Sequence, residues 1–245
     1  MAATAAMLIS PWNARMPAEF AGFSLGLLHF LEELSRNNNR KWFDANRDRY
    51  EKELREPALA YIAAMAGPIQ KISPHFTAVP KKMGGSLMRI HRDIRFSNNK
   101  QPYKTNVGIQ FRHELGKDVH APGFYFHIDT DSVFVAAGVW HPDSDSLRAI
   151  RETIDEYPTD WKRARDAKAF RNRFELAGDS LKRPPRGYGI DHPLLEDLKR
   201  KDHIAVANLD HDVLFDKSLV KLTADYFRST RKYMQFLCEA VGVDY

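Results

Sequence analysis

Five cations fall within sixteen residues, Arg89, Arg92, Arg95, Lys100 and Lys104, with Asp93 as the acid among them. Ser97, Asn98, Thr105 and Asn106 add small polar donors to the same stretch. Guanidinium forks together with hydroxyl and amide donors are what a phosphate or carboxylate group requires. A loop carrying Lys100 and Lys104, anchored by Pro102 and Tyr103, can close over such a ligand. His91, Asp93 and His127 are the groups available for general acid–base work, since an imidazole beside a carboxylate moves protons near neutral pH. His127 and Asp129 point the same way from one strand, and His141 follows the next. Without HExxH or CxxC spacing they do not make a metal motif, and no metal is assigned. There is no glycine-rich phosphate loop and no nucleophile elbow.

These groups need strands to present them. From Ser86 to Trp140 the hydrophobic period drops toward two, which predicts strands at about 86–95, 106–113, 123–129 and 133–140, with a fifth at 204–209. In the first, Met88, Ile90, Ile94 and Phe96 fall on one side and Leu87, Arg89, His91, Asp93 and Arg95 on the other. In the third, Phe124, Phe126 and Ile128 oppose Tyr125, His127 and Asp129; in the fourth, Val133, Val135, Ala137 and Val139 oppose Phe134, Ala136, Gly138 and Trp140. One sheet face is therefore aliphatic and covered by helices. The other mixes aromatic and polar groups and predicts a cleft walled by Tyr103, Tyr125 and Trp140. Arg92 breaks the alternation, falling on the aliphatic side, where it needs a carboxylate, several carbonyls or a bulge.

Helical periodicity brackets the strands. Ser24 to Arg36 predicts a helix, one of Asn37, Asn38 and Asn39 caps the next, and that one runs from about Arg40 to Arg55 before Pro57 starts another. Helices follow Pro142, from Trp161 to Phe174, from His192 to Arg200, and from Ser218 to Val241. Helices, then short-linked strands, then helices predict a single α+β domain over 22–245, an antiparallel β-meander of four to five strands packed with the N-terminal and C-terminal helices. Residues 1–21, rich in Ala with Pro11 and Pro17, read as a disordered extension.

Three segments of this chain resemble, in order, the motifs of a widespread bacterial and fungal family catalogued as a domain of unknown function. They are Leu34-x-x-Asn37-Asn38-x-Arg40-x-Trp42-Phe43-x-x-Asn46, Arg89-x-x-Arg92-Asp93-x-Arg95-Phe96-Ser97-x-x-Lys100-x-Pro102-Tyr103-Lys104-Thr105-Asn106, and Gly138-x-Trp140-His141-Pro142. The likeness spans about Gly22 to Val241 and implies one compact α+β domain. It carries no reaction, ligand or catalytic residue.

The 245 residues, 43% hydrophobic and 28% charged, suit a globular chain and exclude a disordered or collagen-like one. Thirty-seven Lys and Arg against 32 Asp and Glu leave a formal charge of +5, which permits an anionic partner without demanding one. The single cysteine, Cys238, rules out an internal disulfide, fits a reducing cytoplasm and reads as a core residue. No apolar run reaches the roughly 20 residues of a membrane span. The leading expectation is a cytoplasmic protein that binds a small anionic ligand, a phosphorylated one among the candidates, through Arg89, Arg92, Arg95, Lys100 and Lys104 beside the polar-aromatic cleft. The alternatives are a nucleic-acid-binding protein, using the basic stretch from Arg148 to Arg173 as well, and a structural or protein-interaction module in which the same motifs are internal staples. Interleaved acids in that basic stretch favour a solvated helical face. Cofactor, reaction and oligomeric state are not encoded in any motif.

Overall fold

The structure, a computed structural model, describes residues 20–95, 97–116 and 121–245. Of the expected N-terminal extension, only Phe20 and Ala21 fall within the described residues, and Phe96 lies outside them. Phe20 is buried against Phe23 and Tyr61, at ring-centroid distances of 5.1 and 5.3 Å, so it belongs to the core.

The N-terminal helices are α1 (Leu25–Arg36), α2 (Arg40–Ala45), α3 (Arg47–Arg49) and α4 (Glu56–Ile72). Leu27, Phe30, Leu31 and Leu34 form the buried stripe of α1. Asn39 caps α2, its side chain accepting from the Trp42 N–H at 3.0 Å. The single helix expected from Arg40 to Arg55 is instead interrupted. A π-helical turn, Tyr50–Arg55, leads into α4, with the Glu56 N–H donating to the Glu51 carbonyl. Pro57 follows and has no N–H to continue the ordinary ladder, so the widened turn sits where that donor is missing.

Among the described residues the sheet has six antiparallel strands: β1 (Phe76–Thr77), β2 (Val107–His113), β3 (Gly123–Ile128), β4 (Val133–Val139), β5 (Glu175–Ala177) and β6 (His203–Leu209). Their spatial order is β1-β2-β3-β4-β6-β5. The α+β expectation holds, with two short edge strands, β1 and β5, beyond those predicted. Helices α5 (Ser144–Glu156), α6 (Pro158–Arg165), α7 (Lys168–Arg171) and α8 (Leu195–Leu198) lie between β4 and β6 in the chain, and α9 (Leu219–Ser229) and α10 (Arg231–Ala240) close it. The one long final helix expected is split at Thr230, where the Ser229 and Thr230 hydroxyls donate to the Tyr226 and Phe227 carbonyls and bend the chain.

Alternation in β2, β3, β4 and β6 sends Ile109, Phe111, Phe124, Phe126, Val135, Val139, Ala205 and Ala207 to one face, where they are buried against α4, α9 and α10. Cys238 is buried there too, and burial pushes its thiol up to about 12, as suits a core residue. Among the described residues no helix is long and apolar enough to cross a membrane.

The expected first strand is not one. Between Ser86 and Arg95 there are isolated bridges, Leu87 to Ile109 and His91 to Tyr103. Leu87 and Ile90 are both buried, a spacing of three that does not keep to one face of a strand. The segment leaves the edge of β2 after Met88 and pairs with Pro102–Lys104 instead, through Arg92 N–H to Pro102 and Lys104 N–H to Ile90. Met88 therefore lies on the open face rather than the aliphatic one. Arg92 is half-buried rather than sealed in the core.

Candidate functional site

The face of the sheet turned away from the helices carries the polar and aromatic residues in rows fixed by register. One row runs Gly108, His127, Phe134, Asn208; the next runs Gln110, Tyr125, Ala136, Val206; the third runs Arg112, Gly123, Gly138, Ile204. Glycine and alanine in the second and third rows leave a depression, and the larger neighbours wall it. The result is a cleft of about 460 Å³ whose lining includes Met88, Lys104, Asn106, Gln110, Tyr125, His127, Phe134, Trp140, Ile204 and Val206. That volume suits a small organic molecule.

One hydrogen-bonded chain runs along the wall. The Tyr125 hydroxyl lies 3.0 Å from His127 Nδ1, and His127 Nε2 lies 2.8 Å from Asp129 Oδ2. The other Asp129 oxygen accepts from the Asp131 and Ser132 N–H groups, at 2.8 and 2.6 Å, closing the β3–β4 turn. Burial pushes the Asp129 carboxyl up, but the bonds from His127, Asp131 and Ser132 outweigh it and hold the group below its ordinary range. The His127 ring stacks on its cross-strand neighbour Phe134, 4.5 Å between centroids and 9° between planes. Burial, with the Asp129 charge adding to it, pushes the Tyr125 hydroxyl up to about 12.

Lys104, from the segment just before β2, also lines the cleft. Burial lowers its ammonium's proton affinity, and the nearby Arg89 lowers it further. Among the described residues no carboxylate lies within ion-pair distance of it.

The chain's first motif holds this lysine in place. The Asn38 side chain donates to the Tyr103 carbonyl and accepts from the Tyr103 N–H, both at 3.0 Å. The Tyr103 ring stacks on Phe43, 4.1 Å and 16°. Tyr103 is thus a core residue, 4% exposed, and not the cleft wall expected of it. At the other end of the cleft, Gly138 takes φ +131°, and the chain turns through Trp140 to His141 at φ +47°. Buried Asp202 fastens this turn, accepting from the His141 N–H at 2.7 Å and facing its ring nitrogen Nδ1 at 2.9 Å.

The candidate site residues therefore separate. Lys104, Tyr125, His127 and Trp140 line the cleft, with Trp140 half-exposed at its rim. Arg89 is exposed but close enough to act on Lys104. Arg95 is exposed and paired with Asp93 at 2.7 Å, and that bond holds the Asp93 carboxyl down at about 2. Lys100 is exposed, donating to the Ile94 carbonyl at 3.2 Å. His91 packs beside Tyr103 and is not among the residues lining the cleft, while the Asp93 carboxylate is bonded to Arg95. Three arginines of the basic stretch are matched by acids, Arg148 with Asp145, Arg163 with Asp160, and Arg165 with Asp166 and Asp197, while Arg151 donates to the Leu198 and Arg200 carbonyls. His127 and Asp129 bond each other while His141 turns to Asp202, and no group of three or more metal-ligating side chains assembles among the described residues. Phe134 was placed on this face by its alternation, whereas Gln110 and the role of Asn38 were missed. Period-two counting applied to 106–113 puts Gln110 on one face with Gly108 and Arg112, but the register that sets it beside Tyr125 is not local, and nothing local announces the Asn38 clamp.

No curated protein and no solved structure matches this chain. A family model does, over residues 26–236, which takes in the Asn38 clamp, the Lys104 hairpin and the Gly138–His141 turn. The chain belongs to the family described as conserved hypothetical protein (DUF2461).

Proposed function

We propose that the protein binds a small anionic ligand in the cleft on the open face of the sheet. The observation that carries this reading is Lys104: a half-buried ammonium without a carboxylate partner among the described residues, beside Arg89, at a concave site. A buried charge is unfavourable unless something of opposite sign meets it. An anionic group supplies that charge. The apolar body of the ligand lies against Phe134, Trp140, Ile204 and Val206.

Carboxylates and phosphates of small organic molecules are the probes, and thermal shift followed by calorimetry is the measurement. A ligand at a hundred times its dissociation constant stabilises the fold by about 2.7 kcal/mol. Lys104→Met should abolish the shift, while Arg163→Ala, on the far helical surface, should leave it intact. Equal binding by wild type and Lys104→Met would overturn the proposal. Binding of short duplex DNA with a steep fall in affinity as salt rises would move the reading to nucleic acid. The pairing of Arg148, Arg163 and Arg165 with acids speaks against that.

A further inference from the structure

We infer that the cleft is a proton-abstraction site, in which the chain Tyr125–His127–Asp129 removes a proton from a bound molecule whose proton loss leaves an oxyanion, and Lys104 stands by that oxyanion. The inference rests on the reading that the cleft takes a ligand, and adds chemistry to it.

The direction of the chain follows from the acid at its end. An ionised carboxylate can only accept, so His127 Nε2 carries the hydrogen toward Asp129 Oδ2. Nδ1 then holds the lone pair, and the Tyr125 hydroxyl donates to it. Both hydrogens point toward Asp129, which leaves a lone pair of the Tyr125 oxygen to accept from a molecule in the cleft. Stacking on Phe134 and the turn bonds to Asp129 fix the ring and the carboxylate before any ligand arrives. A tyrosine with no relay behind it is a poor base. One that hands its own proton to a waiting imidazole is not limited in that way.

The step balances within the cleft. A C–H bond next to a carbonyl breaks, and its proton goes to Tyr125 Oη while the Tyr125 proton passes to His127 Nδ1. The C–H electron pair becomes the new C=C bond, and the carbonyl oxygen takes the negative charge beside the Lys104 ammonium. His127 ends as an imidazolium facing the Asp129 carboxylate. Return of the proton to another atom of the enolate is an isomerisation. The substrate class is therefore a small carbonyl compound with an acidic α-hydrogen. Tyr125 is the catalytic residue of this scheme, and His127 and Asp129 act through it.

The test uses the intact protein and 5-nitrobenzisoxazole, whose C–H proton is taken by a base as the N–O bond breaks, releasing a coloured phenolate. Benzoate binding is measured on the same samples. Wild type should release phenolate about a hundredfold faster than free imidazole at equal concentration, the low end of what positioned proton transfer contributes. Tyr125→Phe and His127→Gln should fall to background with benzoate binding retained. Lys104→Met should lose both. Asp129→Asn should also fall to background: its oxygen stays on the Asp131 and Ser132 N–H groups, its amide nitrogen faces Nε2, and the imidazole hydrogen moves to Nδ1, which then cannot accept from Tyr125. Tyr125 and Asp129 are the ionisable groups that meet the His127 ring, and His211, from the segment after β6, meets the Asp129 carbonyl. Turnover in wild type no faster than in His127→Gln overturns the relay, whether or not benzoate binds. Tyr125-dependent turnover without benzoate binding would uphold the relay and overturn the anion-binding reading instead.

Discussion

A missing methyl group decides where the Tyr125 hydroxyl sits. A Cβ on Gly108 would lie 2.7 Å from the Tyr125 hydroxyl oxygen and 2.9 Å from the Met88 sulfur. Both are the far ends of flexible side chains, so Gly108→Ala should be absorbed by the fold at a cost of about 1 kcal/mol. In a chain of this size that lowers the melting temperature by about 2–4 °C. The hydroxyl, however, must move away from His127. Phenolate release from the benzisoxazole probe should drop to the level of Tyr125→Phe, with the fold intact by circular dichroism; retained turnover would show that the Tyr125–His127 bond is dispensable. Lys104 makes a second prediction at this scale. Its ammonium loses its proton at lower pH than an exposed lysine, because burial and Arg89 disfavour the charge. The charged form is present at low pH and lost as pH rises, so benzoate affinity should decline at a pH below the ordinary lysine value of 10.5. Affinity that stays level up to the titration of surface lysines would remove Lys104 from the site.

Elements matter because the cleft is held from outside. Asn38 lies in the turn between α1 and α2 and touches no cleft residue, yet its two bonds to the Tyr103 backbone fix the hairpin that delivers Lys104. Asn38→Ala leaves two part-buried backbone groups without their partner and should cost about 1–3 kcal/mol. It should also weaken anion binding without changing any group that meets the ligand, which calorimetry on the variant would measure; full affinity would mean that β2 alone positions Lys104. This coupling explains why the site was legible in part. The alternation of β3 and β4 gave the open face, and with it Tyr125, His127 and Trp140, because period two is a local property of each strand. Tyr103 was misplaced because a tyrosine in a charged segment looks like a ligand contact, while its partners Asn38 and Phe43 lie some sixty residues earlier in sequence. The Ser86–Arg95 segment was misread for a related reason. It pairs with β2 and then with Pro102–Lys104, and a change of partner leaves no mark in hydrophobic period. The breaks in the long helices were invisible where they depend on hydroxyls bonding back to the chain, as at Thr230, and foreseeable only as a kink where Pro57 removes a donor.

At the scale of the whole molecule, the helical layer that carries the sheet contains a polar flaw. His203 is buried on the helix-facing side of β6, and neither ring nitrogen has a hydrogen-bond partner among the described residues. Trp161 packs edge-on to it and Tyr233 packs on Trp161, and the Trp161 N–H and Tyr233 hydroxyl are likewise unpartnered. Burial, followed by the charges of Arg200 and Arg151, pushes the imidazole down from 6.5 to about 3. The unfolded chain takes up a proton at this histidine as pH falls through 6.5, and the folded chain does not until about 3, so folding loses stability across that window. Between pH 7.5 and 5 the loss from this one group is about 2 kcal/mol, at roughly 1.4 kcal/mol for each pH unit below 6.5. His203→Leu removes the titration and the unpartnered nitrogens together. Urea unfolding should then give a variant at least as stable as wild type at pH 7.5, and more stable by about 2 kcal/mol at pH 5, all other ionisable groups being common to both. Parallel stability–pH curves for the two proteins would mean that His203 is solvated or paired in the folded state. The separation predicted here sets the lower pH at which the cleft can be assayed on a fully folded population. Turnover of Asp129→Asn therefore has to be read against the unfolding curve of the same variant, so that loss of the relay is distinguished from loss of the sheet that holds it.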